Sequence, residues 1–106
     1  MKSIFVIILE IKWTKKAQLS FEKNISYLQK EWSEKEVERF VNRTDNVLLL
    51  LSRYPEIGCP TLKRKNIRLF VLNKTIQLIY HYKPTKKQIE VLLFWNTKQH
   101  PSKFNF

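Results

Sequence analysis

Cysteine, glycine and histidine are scarce in this chain of 106 residues, which has one, one and two of them, and its C-terminal part holds almost no acid. The lone Cys59 excludes an internal disulfide and a cysteine-based zinc cluster, and it fits a reducing compartment. A buried or inert thiol is the expected state of such a residue. A single glycine beside 43% hydrophobic and 13% aromatic content speaks against a loop-rich or disordered chain. Long apolar runs are missing too. The run from Ile4 to Leu9 ends at Glu10 and Lys12, too short to span a bilayer or to serve as an export signal. A cytoplasmic protein without a membrane partner is therefore expected, and the length suits one domain over residues 1–106.

What is present is positive charge, unevenly spread. Residues 1–58 carry ten Lys/Arg against eight Asp/Glu, whereas residues 59–106 carry ten against Glu90 alone, so +9 of the formal +11 lies in the second part. Such a surface attracts a polyanion or an acidic protein.

The hydrophobic pattern gives the architecture. Leu9, Ile11 and Trp13 alternate with Glu10 and Lys12, as in an opening strand. Thr14 then caps a helix whose apolar face is Ala17, Phe21, Ile25, Leu28 and Trp32. Ser33 and Glu36 form a capping box, so a second helix starts at Glu34 and buries Val37, Phe40, Val41, Thr44, Val47, Leu48 and Leu51. Tyr54-Pro55-Glu56-Ile57-Gly58 ends it, and Cys59-Pro60-Thr61 continues the loop. The period then becomes two over Ile67 to Leu72, Thr75 to Tyr82 and Ile89 to Trp95, with turns at Asn73-Lys74 and Lys83-Pro84-Thr85. Residues 96–101 lack periodicity. The order β-α-α-β-β-β predicts an α+β fold in which an antiparallel helical hairpin packs on a small, mostly antiparallel sheet, leaving the sheet's other face for function.

These marks together resemble the RelE/ParE superfamily of bacterial toxins from type II toxin–antitoxin pairs. The resemblance spans residues 9–100 and rests on Ile11-Lys12-Trp13-Thr14 with Ala17, on Tyr27-Leu28, on Leu51 followed by Tyr54-Pro55-Glu56-Ile57-Gly58, and on Arg68-Leu69-Phe70 and Ile79-Tyr80. It implies a toxin neutralised by a cognate acidic antitoxin that wraps the helices and sheet. RelE-like members act on ribosome-bound messenger RNA as ribonucleases, whereas ParE-like members inhibit DNA gyrase and need no nuclease residues.

Metal-free RNA cleavage requires a base for the 2′-hydroxyl, cations for the phosphate and an acid for the leaving oxygen. Arg68 stands where the resemblance places a basic residue, but Gln77 and Gln99 fall where such toxins carry phosphate-binding arginines. An amide supplies no net charge to a phosphate. His81 is the remaining general-base candidate, on the face shared by Gln77 and Ile79, with an ordinary surface histidine as the alternative. His100 in the tail carries no stronger signal. Tyr80 is expected in the core with its hydroxyl on a backbone group, and Trp95 at the end of the core. Lys63, Arg64 and Lys65, together with Arg68, Gln77 and Lys98, form the candidate target- or antitoxin-binding set, the alternative being solvated charge. Lys83, Lys86 and Lys87 suit edge protection. No metal or cofactor is expected. The sequence favours a ParE-like growth inhibitor, the rivals being a ribonuclease using Arg68 and His81 and a non-toxic nucleic-acid-binding module.

Overall fold

The computed structural model describes residues 8–62 and 64–98. In chain order it runs β1 (Glu10–Trp13), α1 (Lys15–Glu31), α2 (Glu34–Arg53), β2 (Cys59–Pro60), β3 (Ile67–Val71), β4 (Ile76–Lys83), a short 3-10 turn (Pro84–Lys86) and β5 (Gln88–Asn96). The five strands form one sheet in the order β1-β5-β4-β3-β2. All neighbours are antiparallel except β1 and β5, which run parallel. The two helices pack on one face, so the α+β layering read from the sequence is the observed one. What the pattern did not reveal is β2, a two-residue edge pairing Cys59 with Leu69 and Pro60 with Arg68. A two-residue strand is too short to show a period.

Thr14 shows how this topology is tied together. Its hydroxyl oxygen accepts from the Ala17 N–H at 3.0 Å, capping α1, while the hydroxyl donates to the Val91 carbonyl at 2.9 Å. One side chain therefore joins the end of β1, the start of α1 and the middle of β5. Ser33 does occupy the N-cap position of α2, but its side chain makes no cap bond. The expected capping box is not formed, because Glu36 turns to Arg39 at 2.7 Å instead.

The main core lies between helices and sheet. Ala17 and Leu28 of α1 and Phe40, Val47, Leu48 and Leu51 of α2 meet Ile76, Leu78, Tyr80, Ile89, Val91 and Phe94. Phe21 stacks on Phe40 with centroids 5.2 Å apart and meets Phe94 edge-on at 5.0 Å. Burial of a side chain such as Phe40 stabilises the fold by roughly 1.5–3 kcal/mol. Trp32, assigned to the apolar stripe of α1, is instead 59% exposed, since it lies past the last turn of the helix.

Two features shape the sheet's other face. The β4–β5 register shifts between Ile79 and Tyr80, so Leu93 faces Ile79 while Val91 faces Tyr80. Leu92 is the extra residue of a bulge, and it joins Leu93 on the face away from the helices. The second feature is a side-chain seal. Beyond the short β1, the edge of β5 meets α1: the Phe94 N–H donates to the Ser20 hydroxyl at 2.9 Å and the Asn24 amide donates to the Phe94 carbonyl at 3.0 Å. Asn24 is buried by this role.

Candidate functional site

Strand alternation assigns the face away from the helices. From β3 it takes Ile67, Leu69 and Val71, from β4 Gln77, Ile79, His81 and Lys83, and from β5 Glu90, Leu92, Leu93 and Trp95. Its centre is apolar, with Ile67, Ile79, Leu93 and Trp95 all buried. The expectation that Trp95 belongs to a core is met, but in this second cluster and not under the helices. Beside it a groove of about 510 Å³ is lined by Lys16, Leu19 and Lys23 of α1 with Leu93 and Trp95.

One end of the face is ionic. His81 lies directly across from Glu90, and Lys83 Nζ reaches the Glu90 carboxylate at 3.1 Å. Lys12 of β1 also pairs in register with Glu90, and its Nζ lies 3.7 Å from Glu10. Burial holds the His81 pKa below its ordinary value, and the positive charges of Lys83 and Arg64 lower it further against the opposing pull of Glu90. Near pH 7 the imidazole is neutral. The Glu90 position opposite His81 was missed from the sequence, although counting from the expected strand ends Tyr82 and Ile89 would have paired them.

Arg68 departs most from expectation. It faces Tyr80 in register and therefore points to the helix side, away from His81 on the next position. Its guanidinium donates to the Gly58 carbonyl at 2.7 Å and the Glu56 carbonyl at 2.9 Å, and lies 3.9 Å from the Glu56 carboxylate. Tyr80 completes the clamp: its hydroxyl donates to the Pro55 carbonyl at 2.6 Å and accepts from the Gly58 N–H at 3.0 Å. The backbone attachment expected for Tyr80 is thus observed. Burial raises the Tyr80 pKa, with the Gly58 hydrogen bond and Arg68 pulling the other way. Gly58 is required by contact and not by backbone angle, because a Cβ there would stand 2.5 Å from the Tyr80 hydroxyl oxygen. The sheet consequently separates the two residues named together for ribonuclease chemistry.

The other candidates divide between the two ends. Arg64 is exposed in the β2–β3 loop and near enough to His81 to act on its charge, and Lys65 is exposed beside it. Asn66, with φ of 63°, turns that loop into β3. Gln77 lies across from Trp95, four positions from His81 and so about 13 Å along the strand. Lys98 is exposed just beyond β5 at the Gln77 end. Lys63, Gln99 and His100 lie outside the described residues. Cys59, expected buried or inert, is exposed, because it sits on the two-residue edge strand where no layer covers it.

The sequence matches the family described as ParE toxin of type II toxin–antitoxin system, parDE, over residues 11–101. No curated protein matches it. Among solved structures it is similar to the chromosomal ParDE system of P. aeruginosa, at 16% identity and a TM-score of 0.69, covering 86% of this chain and 98% of that one. It also resembles the RelBE2 toxin–antitoxin complex of Mycobacterium tuberculosis, at 15% identity, a TM-score of 0.59 and coverage of 87% and 94%. A YoeB/ParE toxin from Agrobacterium tumefaciens gives 14% identity, a TM-score of 0.59 and coverage of 83% and 98%. At these identities the structural likeness speaks for the fold.

Proposed function

Because the chain belongs to the ParE toxin family of type II toxin–antitoxin systems, we propose that it arrests growth as a ParE-like toxin acting on DNA gyrase, and that a cognate acidic antitoxin holds it inactive. The observation that carries this reading is the chemistry of the sheet's helix-free face. The one arginine in strands β3–β5, Arg68, is turned to the opposite side and spent on the Glu56 and Gly58 carbonyls. Gln77 offers an amide where a phosphate would need charge. A face built of Ile67, Leu69, Val71, Leu92 and Leu93 suits contact with a protein surface better than with a phosphodiester.

Induction of the chain alone, with DNA and protein synthesis followed separately, tests the target. DNA synthesis should stop first, with ribosome-bound messenger RNA left intact. Early loss of protein synthesis with cut messages would overturn the gyrase assignment.

A ribonuclease reading draws on one specific observation, the His81–Glu90 pair with Lys83 beside it. A neutral imidazole in that place has the protonation state a general base needs. Codon-positioned cuts that vanish in His81→Ala would establish this alternative. Indifference of the toxicity to His81→Ala favours the gyrase reading.

A further inference from the structure

Four strands meet at the end of the sheet farthest from the Asn73-Lys74 turn: β1, β3 and β5 begin there and β4 finishes. In residues 10–12, 64–66 and 82–90, which form this end, six Lys/Arg stand against two carboxylates. Both carboxylates are already matched. Glu90 takes Lys83 at 3.1 Å, and Glu10 takes Lys12 at 3.7 Å and the Gln88 amide at 3.2 Å. Arg64, Lys65, Lys86 and Lys87 remain, all exposed and without an ion pair or side-chain hydrogen bond among the described residues.

The backbone holds these four in place. The Ile67 N–H closes the first turn on the Arg64 carbonyl at 3.3 Å, and the Tyr82 N–H ties it to β4 through the Asn66 carbonyl at 2.9 Å. Pro84 opens the second turn, the Lys87 N–H closes it on the Pro84 carbonyl at 3.1 Å, and the Glu10 N–H donates to the Lys87 carbonyl at 3.1 Å. Lys87 has φ of 50°, a left-handed angle that glycine or asparagine adopts more readily. A lysine there runs against the backbone's preference and keeps a charge at the tip of the turn. Neighbouring strands lie about 4.8 Å apart, so the row from β3 to β1 is about 14 Å wide. A nucleic-acid strand carries a phosphate about every 3.4 Å of its axis, or about four over that width.

We infer that this end of the sheet binds the phosphodiester backbone of a double-helical nucleic acid without regard to base sequence, with phosphates on Arg64, Lys65, Lys86 and Lys87. Tyr82, the aromatic ring in these segments, is half-buried, so it offers no platform for an unpaired base, and no α-helix is presented to a groove. An acidic protein fits less well, because residues 64–66 and 85–87 present no large apolar side chain to form the centre of an interface. The inference goes beyond the growth arrest proposed above and does not rest on it. The site lies beside the apolar centre formed by Ile67, Ile79, Leu93 and Trp95, so a protein on the helix-free face and a nucleic acid at this end are compatible.

The test is a titration of the purified full chain against labelled duplexes of two unrelated sequences, each made as DNA and as RNA, from low to physiological salt. Binding alike for the two sequences is expected, with the logarithm of affinity falling by about 3 to 4 per tenfold rise in salt for four phosphates. A preference between the DNA and RNA forms identifies the source of the backbone. Lys65→Glu with Lys86→Glu should weaken binding about tenfold or more, and Lys65→Arg with Lys86→Arg should restore it. Lys23→Glu with Lys30→Glu on α1 changes the net charge equally, toward the other end of the molecule, and should bind within about threefold of wild type. These four lysines are exposed and make no ion pair or side-chain hydrogen bond among the described residues, so the variants fold. Absence of binding at low salt, equal losses in the two charge-reversed variants, or a preference of more than about tenfold for one sequence overturns the inference. Poly-glutamate that displaces the duplex at equal charge concentration also overturns it and assigns the surface to an acidic polypeptide.

Discussion

Tyr80 and Arg68 hold the segment from Pro55 to Gly58 from below, and removing either should be felt in stability before function. Tyr80→Phe leaves the Gly58 N–H and the Pro55 carbonyl without their partner, an expected loss of about 1–3 kcal/mol in denaturant unfolding. Arg68→Ala should cost a similar roughly 1–3 kcal/mol, since its bonds are charge-assisted and its side chain is mostly buried. Equal stability of Arg68→Ala and wild type would return Arg68 to the role of a free surface charge. Tyr80 adds a pH dependence. Its folded-state pKa is raised, so the folded form holds the phenol proton more tightly than the unfolded chain. That contribution is complete below pH 10 and is lost as pH rises through the folded value; alkaline melts should show it in wild type and not in Tyr80→Phe. The sequence made the inward Tyr80 legible through its alternation with His81. It did not make Arg68 legible, because counting back from a two-residue turn at Asn73-Lys74 pairs Arg68 with Ile79, whereas the observed register pairs it with Tyr80 and turns it to the helix side.

At the scale of elements, the seal between α1 and β5 carries the clearest expectation. Ser20 and Asn24 stand where a sixth strand would otherwise bond to the Phe94 peptide groups. Asn24→Leu should lose about 1–3 kcal/mol through the unpaired Phe94 carbonyl. It should also open an edge that recruits other chains, detectable as concentration-dependent light scattering. A monomeric, equally stable variant would show that packing alone closes this edge. The signal for this device was in the sequence: Asn24 interrupts the apolar face between Phe21 and Leu28, and a polar residue there asks for a buried partner. Helices, the meander and their order were legible because amphipathic periods of 3.6 and 2 run through most of their length. The bulge at Leu92 was not, since residues 91 to 95 are apolar throughout and show no preferred face. Nor was the second apolar cluster, for it depends on that bulge turning Leu92 and Leu93 to one side.

The molecule as a whole carries +11 on 106 residues, most of it from β2 onward. Self-repulsion of this size weakens the isolated chain, so its Tm should rise with added salt, whereas its complex with an acidic protein should loosen. On the acid side His81 adds a definite sign. Its folded-state pKa is depressed by burial and by Lys83 and Arg64, so the unfolded chain binds the proton more readily. The contribution is complete above pH 6.5 and is lost as pH falls through the folded value; His81→Gln should flatten that limb of a stability profile, and an unchanged limb would place the sensitive group elsewhere. Connectivity sets a different limit. β5 bonds to β1 on one side and β4 on the other, caps its exposed edge with α1, and receives Thr14, so the first described strand is completed only by the last. During translation, therefore, everything up to β4 emerges as a nascent chain that has its helices and the β3–β4 hairpin but lacks the strand that joins β1 to β4. Such a chain waits on its final strand to close, and native contacts spanning nearly eighty positions, such as Thr14 with Val91, form slowly. The interval gives a protein already present in the cell a period in which to meet this one before it is finished.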